Sequence, residues 1–372
     1  MPAYRVLVLG GYGFFGSRLV ERLCRQPGLE VLVTGRSLPQ AQARVQRLQA
    51  SAVSSLRALA LDINAPDFDA QLRSLAPAVA IHTCGPFQSQ SYRVAEACIE
   101  ARAHYIDLAD GRDFVCGIHR LDAAAREAGV AVLSGASSVP ALSSAAADHL
   151  SAGFERLHRI DIGISPGNKT ERGLSTVQAI LSYCGKPLPA AAGALRHGWV
   201  GRWAHRYPAP VGLRWLSPCD VPDLALLPQR YPGQPEVRFG AGLELKLLHA
   251  GMNLMAQLAR WGWVRDWSRH ANWLKRASDA LRHFGTDAGA MHVCVTGLQA
   301  LGRTTFRTWT LCATRGDGPY VPTLAAAALV RRLRAGDASL IGAQPCVGLL
   351  SLAEFARECE GLNIEMGETT GG

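Results

Sequence analysis

Four glycines, Gly10, Gly11, Gly13 and Gly16, stand between the apolar run Arg5–Leu9 and the amphipathic stretch Ser17–Leu23. An apolar strand running through a glycine turn into a helix leaves main-chain N–H groups and the positive end of a helix dipole aimed at one spot. A pyrophosphate fits such a spot. Gly11-x-Gly13-x-x-Gly16 gives one glycine for the turn, one for close backbone approach and one for helix–strand packing. Gly10, Gly13 and Gly16 satisfy a second register of the same motif, and both keep Gly13 and Gly16 at the phosphate. With Tyr12, Phe14 and Phe15 between them, these residues form the expected dinucleotide cradle.

The next strand, Glu30–Thr34, ends in Gly35-Arg36-Ser37. A site for an unphosphorylated ribose would carry an acidic residue there, to hold the 2′-hydroxyl. No carboxylate is present, and a guanidinium suits bidentate phosphate binding. Arg36 and Ser37 therefore point to NADP(H) over NAD(H). Asp62, at the end of a third strand, and Cys84-Gly85-Pro86-Phe87, after a fourth, complete the expected cofactor-binding set.

Hydride transfer also needs a group that handles one proton. Tyr105, Asp107 and Asp110 stand at a strand end, and Ser137 and Ser138 in a later exit loop. Lys169 and Arg172 lie in a loop ahead of a helix, and Arg172 suits a carboxylate clamp. The catalytic candidates are Tyr105, Asp107, Lys169 and Arg172; the two aspartates also suit turn and N-cap roles. His82, inside an apolar strand, reads as a core histidine. No neighbouring cation activates Cys84, so it reads as packing.

The elements that must position these groups alternate between helix and strand periods over the first half, as a doubly wound parallel sheet requires. Strands are expected at Arg5–Leu9, Glu30–Thr34, Leu56–Leu61, Val79–Thr83, Tyr105–Leu108 and Val130–Leu133. Helices are expected at Ser17–Leu23, Asp67–Leu75, Tyr92–Ala101 and from about Phe114 to Gly129. The second half predicts a strand at His158–Ile164 and a helix at Gly173–Leu181. Further strands are expected at Glu236–Phe239, His292–Thr296 and Thr304–Ala313, and a helix at Pro322–Leu333. The fold class is thus α/β, a Rossmann-type sheet over 1–150 with an α+β substrate or dimerisation domain, built on a mostly antiparallel sheet, over 151–372. The last helices are candidates to pack back on the first domain. Seven of the eight tryptophans lie between Trp199 and Trp273. Trp263, Val264, Trp267, Ala271 and Leu274 recur at helical spacing, as a core or dimer-interface stripe would.

Composition narrows the classes. The chain has 372 residues, long enough for two domains, and no low-complexity tract. Its ten cysteines show no CxxC pair, and no His/Cys cluster has zinc spacing, so no metal is expected. Cys84, Cys98, Cys294 and Cys312 lie in apolar stretches, as buried thiols of a reducing compartment do. With the first strand at the amino terminus and no apolar run long enough to span a bilayer, a cytoplasmic location is expected. Net charge is +9, nearly all of it arginine beside four lysines. The basic residues form no single block, which argues against nucleic acid.

His82-Thr-Cys-Gly-Pro-Phe87, Tyr92-Arg-Val-Ala-Glu-Ala-Cys-Ile-Glu100 and His104-Tyr-Ile-Asp-Leu-Ala-Asp110 together resemble the saccharopine dehydrogenase-like (saccharopine reductase) family. The glycine motif and Ser138-Val-Pro140 fit the same family, and Gly285-Thr-Asp-Ala-Gly-Ala-Met291 does so more loosely. The resemblance covers residues 4–150 well and the remainder thinly. It implies an NADP-binding Rossmann domain followed by an α/β domain that closes over the nicotinamide, with Phe87 walling that ring.

Two functions follow as expectations. The first is an NADPH-dependent oxidoreductase, a homodimer, reducing a C=N, C=O or C=C bond of a small or lipid-like substrate. Saccharopine itself, with three carboxylates, would need more convergent cations than Lys169 and Arg172. The second is a non-catalytic NADP-binding sensor or membrane-peripheral scaffold, its basic aromatic segment 260–282 lying on an anionic membrane.

Overall fold

The computed structural model describes residues 3–188, 196–299 and 302–371. The chain divides into two compact units, one running to Leu142 and taking in Tyr320–Glu358, the other holding Ser143–Pro319 and the carboxy-terminal stretch from Cys359.

Up to Leu142 the order is β1 (Tyr4–Leu9), α1 (Phe14–Leu23), β2 (Leu29–Gly35), α2 (Leu38–Gln49), β3 (Ser55–Ala60), α3 (Phe68–Leu75), β4 (Val79–His82), α4 (Arg93–Glu100), β5 (His104–Asp107), α5 (Arg112–Gly117), α6 (Asp122–Ala128) and β6 (Ala131–Ser134). Val6–Leu9, Val31–Val33 and Val79–Ile81 are fully buried, as strands covered on both faces must be. The helix expected from Phe114 to Gly129 is broken: a 3₁₀ turn at Ile118–Leu121 separates α5 from α6. Helix α2 was not foreseen, its run of Gln, Ala and Arg burying only Ala41 and Leu48.

The second unit runs α7 (Ser143–Ser151), β7 (Phe154–Ser165), α8 (Leu174–Ser182), β8 (Pro187–Leu188), β9 (Arg196–His197), β10 (Trp203–Arg206), β11 (Leu213–Pro218), α9 (Asp223–Arg230), β12 (Glu236–Ala241), α10 (Lys246–Arg260), α11 (Ala271–Ala280), β13 (Gly289–Gln299) and β14 (Thr304–Ala313). The chain then returns to the first unit with α12 (Val321–Arg334), β15 (Gly342–Pro345) and most of α13 (Leu352–Cys359), and closes on β16 (Ile364–Gly371).

Sheet one is parallel throughout, in the order β15-β6-β5-β4-β1-β2-β3. Strand order reverses between β1 and β4, the place where ligands bind at the carboxyl ends of such sheets. The seventh strand comes from more than 200 residues beyond its neighbour β6, and is too short to be foreseen from Gly342-Ala-Gln-Pro345. Sheet two, β10-β11-β12-β7-β13-β14-β16, is antiparallel except where β12 pairs parallel with β7. One face of it buries Ile160, Ile162, Val293 and Val295. Between them on β7 stands Asp161, which takes Arg159 at 2.7 Å and Arg238 at 2.6 Å.

The Trp263–Leu274 stripe is not one helix. Helix α10 stops at Arg260, and Gly262 takes a left-handed φ of 81°. Asp266 then caps a 3₁₀ turn, Trp267–His270, ahead of α11. Of the stripe, Ala271 is buried while Trp263 is exposed. All ten cysteines are free, with Cys98 buried but Cys84, Cys294 and Cys312 only half-buried.

Every residue from Leu324 to Val330 is buried, so α12 is apolar all round its middle. It packs against α1. The Gln26 side chain donates to the Ala327 carbonyl at 3.4 Å, and the buried Glu358 carboxylate accepts from Arg331 at 2.6 Å. Leu329→Ala is expected to cost the first unit about 2–5 kcal/mol, read as a lower urea midpoint at unchanged slope. A loss under about 1 kcal/mol would show that α12 is not core.

Candidate functional site

The loop after β1 is shaped by what its glycines lack. Gly10 has φ 79°, a left-handed conformation, and its carbonyl accepts from the Gly13 amide at 2.8 Å. A Cβ on Gly16 would stand 2.1 Å from the Gly10 carbonyl oxygen and 2.8 Å from Thr83 Oγ1. A Cβ on Gly13 would stand 3.0 Å from that same oxygen. Helix α1 therefore begins against the end of β1, with Thr83 at the end of β4 holding the Leu9 carbonyl at 2.8 Å. The first turn of α1 has no side-chain cap and no acidic residue. The amides of Phe14, Phe15 and Gly16 take no main-chain partner among the described residues. Open donors at a helix N-terminus suit an anion.

Tyr12 bridges to the next strand end. Its ring lies where a Gly35 side chain would be, 2.4 Å from that ideal Cβ, and its hydroxyl accepts the Ser37 amide at 2.9 Å. Arg36, between them, is exposed and forms no ion pair among the described residues. Asp62, half-buried, accepts its own turn's Asn64 amide at 3.0 Å. Cys84 packs beside Gly10, and burial pushes its thiol up to about 12, which suits packing and not nucleophilic attack. The Gly85-Pro86 loop is stapled by Gln90, whose amide donates to the Cys84 carbonyl at 2.7 Å and the Pro86 carbonyl at 2.8 Å. Nothing in the sequence marks Gln90. The Phe87 ring is turned inward, with ring centroids 5.0 Å from His82 and 5.4 Å from Phe114.

Tyr105 and Asp107 are both buried. The Tyr105 hydroxyl meets His82 Nδ1 at 3.1 Å, and burial holds its proton on well above the ordinary range. Burial likewise lowers the His82 imidazole to about 4. Asp107 Oδ1 accepts the Ala109 amide at 2.9 Å and the Gly135 amide at 2.8 Å, tying the exit of β5 to that of β6. Asp110 accepts Gln88 at 3.1 Å, and Ser137 and Ser138 are buried.

In the second unit Lys169 is exposed, and no described residue pairs with its ammonium. Arg172 is engaged, donating to Ser278 Oγ at 2.7 Å and to Asn168 Oδ1 at 3.1 Å. Both belong to a loop anchored by Glu244, a residue the sequence did not single out. Glu244 accepts the amides of Asn168 at 2.7 Å and Thr286 at 2.9 Å, and the Arg214 guanidinium at 3.1 Å. Burial opposes the charge on Glu244, but those amides hold its carboxyl below the usual range. Among the described residues no group of three or more His, Cys, Asp or Glu is placed to hold a metal. No described helix is long and apolar enough to cross a membrane.

Residues 6–133 match the family described as the saccharopine dehydrogenase NADP binding domain. The match lies wholly within the first unit. Over the whole chain the fold is similar to that of saccharopine dehydrogenase (L-Glu forming) from Saccharomyces cerevisiae, at 15% identity and TM-score 0.67, with both chains covered in full. It is also similar to the homospermidine synthase of Legionella pneumophila solved with NAD, at 11% identity and TM-score 0.59, covering 99% of this chain and 91% of that one. No curated protein sequence matches. NADP(H) is the cofactor of this domain type, and the open amides at the uncapped start of α1 suit its pyrophosphate.

Burial raises the Asp107 carboxyl from 3.8 to about 6. The folded state thus holds this proton more tightly than the unfolded chain does. The stability it contributes is fully present below about pH 4 and is lost as pH rises through about 6, by up to about 3 kcal/mol. Asp107→Asn should flatten that part of the stability–pH curve while keeping the acceptor for Gly135. Urea melts of both proteins from pH 4 to pH 7 check it, and parallel curves would disprove the assignment.

Proposed function

We propose that the protein is an NADP(H)-dependent oxidoreductase acting on a C=N, C=O or C=C bond of a small or lipid-like substrate. The observation that carries the reading is the uncapped, acid-free start of α1, set over the Gly10 carbonyl beside an unpaired Arg36. When bound, the cofactor supplies or accepts a hydride. The chain's own part is binding, orientation and one proton.

The amides of Phe14, Phe15 and Gly16 take the pyrophosphate in this reading. Arg36 and the Ser37 region take the 2′-phosphate, with Tyr12 holding the two loops in register. Gly10, Gly11 and Gly13 keep the turn free of side chains, and Asp62 closes the β3 end. The Cys84-Gly85-Pro86 backbone, stiffened by Gln90, forms the nicotinamide side, with Phe87 supporting it from beneath.

Of the four catalytic candidates, Tyr105 and Asp107 are buried and Arg172 is engaged by neighbours. The reading gives Tyr105 and Asp107 the positioning of the strand-end loops and gives Arg172 the shaping of its own loop. The proton role falls to Lys169, the one of the four with an exposed, unpaired head among the described residues. Of Lys169 and Arg172, the two cations singled out for the substrate, Lys169 alone is unengaged among the described residues, a poor match for saccharopine's three carboxylates. The relatives' names therefore support the reaction class and not that substrate.

Calorimetry with the full chain tests the cofactor half. NADPH is expected to bind more tightly than NADH. Arg36→Ala should weaken NADPH by about 10- to 100-fold, the worth of a hydrogen-bonded charge pair, and leave NADH unchanged. Equal loss for both coenzymes would remove Arg36 from the 2′-phosphate. Screening NADPH oxidation against metabolite and lipid extracts tests the catalytic half: binding without turnover on any pool would make the protein a sensor instead.

A further inference from the structure

Helix α10 and the segment after it expose an apolar surface that the second unit does not use. Leu247 and Leu254 on α10 and Trp261 just past its end recur at seven-residue spacing, all more than half exposed, with Leu247 at 74%. Trp263 is 76% exposed, with its ring centroid 6.3 Å from that of Trp261, and Trp273 on α11 is 68% exposed. The segment is ordered by its own contacts. The Trp267 indole donates to the Met255 carbonyl at 2.8 Å, fastening the 3₁₀ turn to α10, and Asp266 caps that turn through Ser268 at 2.9 Å. Helix α8 packs on the same turn and on α11.

The charge around these rings has one sign. Between Lys246 and Phe284 lie seven Lys and Arg against two acids, Asp266 and Asp279. Both acids are engaged, Asp266 with Ser268 and Asp279 with Lys275 at 2.6 Å. Arg260, Arg265, Arg269 and Arg276 are exposed and form no ion pair among the described residues. An exposed apolar patch of this kind marks an interaction surface. Aromatic rings set among unpaired cations match the boundary between acyl chains and anionic headgroups. A soluble partner protein would need a complementary acid for each guanidinium; an anionic bilayer supplies them everywhere.

We propose that α10, the Trp261–His270 connection and α11 dock the protein reversibly on an anionic phospholipid surface. Leu254, Trp261, Trp263 and Trp273 enter the interface, and the arginines lie against the headgroups. Nothing in this depends on the oxidoreductase reading.

Full-length protein is incubated with phosphatidylcholine vesicles, with and without phosphatidylglycerol, and bound protein is separated by flotation. Binding is expected only with phosphatidylglycerol, with a blue shift of tryptophan emission. It should be lost as salt rises from about 0.1 M to about 1 M, which shortens the screening length from about 10 Å to about 3 Å. Replacing Arg260, Arg265, Arg269 and Arg276 with Gln should lower partitioning about fivefold per charge. Trp261→Ser with Trp263→Ser should remove most of the emission shift, while circular dichroism and an unchanged urea midpoint show that both variants fold. No flotation at low salt, or salt-independent flotation of the wild type, overturns the proposal without reference to any variant. A stable dimer in light scattering that the tryptophan variants dissociate also overturns it, assigning the surface to a second copy.

Discussion

The approach of α1 to the Gly10 carbonyl governs the first unit. With 2.1 Å between that oxygen and the place where a Gly16 Cβ would stand, no residue but glycine lets the helix start there. Moved outward by one methyl group, the helix would carry its open amides away from the β1 end and break its contact with Thr83. The first turn carries neither a capping side chain nor an acid, which leaves its donors open. A cap would spend the donors, and a carboxylate would repel an anionic ligand.

The neighbouring strand ends are held to this start by side chains reaching main-chain groups. Thr83 fastens β4 to β1, Tyr12 fastens the β1 turn to the β2 exit, and Asp107 fastens β5 to β6. Each bond crosses between loops, so the crevice at the strand-order reversal is braced along its length. Burying Asp107 costs free energy, as its raised proton affinity shows, yet both amides it accepts belong to exit loops. A rigid crevice suits a site whose main work is to orient a cofactor, since misplacement there lowers rate steeply.

Much of this was legible in the sequence because parallel strands covered on both faces read as unbroken apolar runs. Six of the seven strands of sheet one were expected from the sequence, most clearly β1, β2 and β4, whose apolar runs are buried on both faces. What escaped had physical causes. Strand β15 is four residues of small side chains whose pairing with β6 is set by the fold between them and by nothing local. Helix α2 lies on the surface and buries only Ala41 and Leu48, its apolar residues standing singly among Gln and Arg. Gln90 and Glu244 matter through the main-chain groups they reach, and a polar residue in a loop looks alike whether it meets an amide or water. The Trp263–Leu274 stripe keeps helical spacing in the sequence, and spacing alone does not reveal that Asp266 caps a separate 3₁₀ turn within it.

Arginine content shows the same limit from another side. Arg238 and Arg276 are indistinguishable by type. Arg238, though, is held at 2.6 Å by Asp161 and stacks at 4.2 Å on Trp203, while Arg276 stands exposed with no ion pair among the described residues. A net charge of +9 summed over the chain therefore says little about what the protein attracts. Placement matters more: among the described residues Arg36 stands without an ion pair beside an uncapped helix start, and Arg260, Arg265, Arg269 and Arg276 stand without one near exposed indole rings. A lone guanidinium beside main-chain donors selects a phosphate of fixed geometry. Several guanidiniums spread over an apolar surface select a charged plane, where no single partner has to be in register.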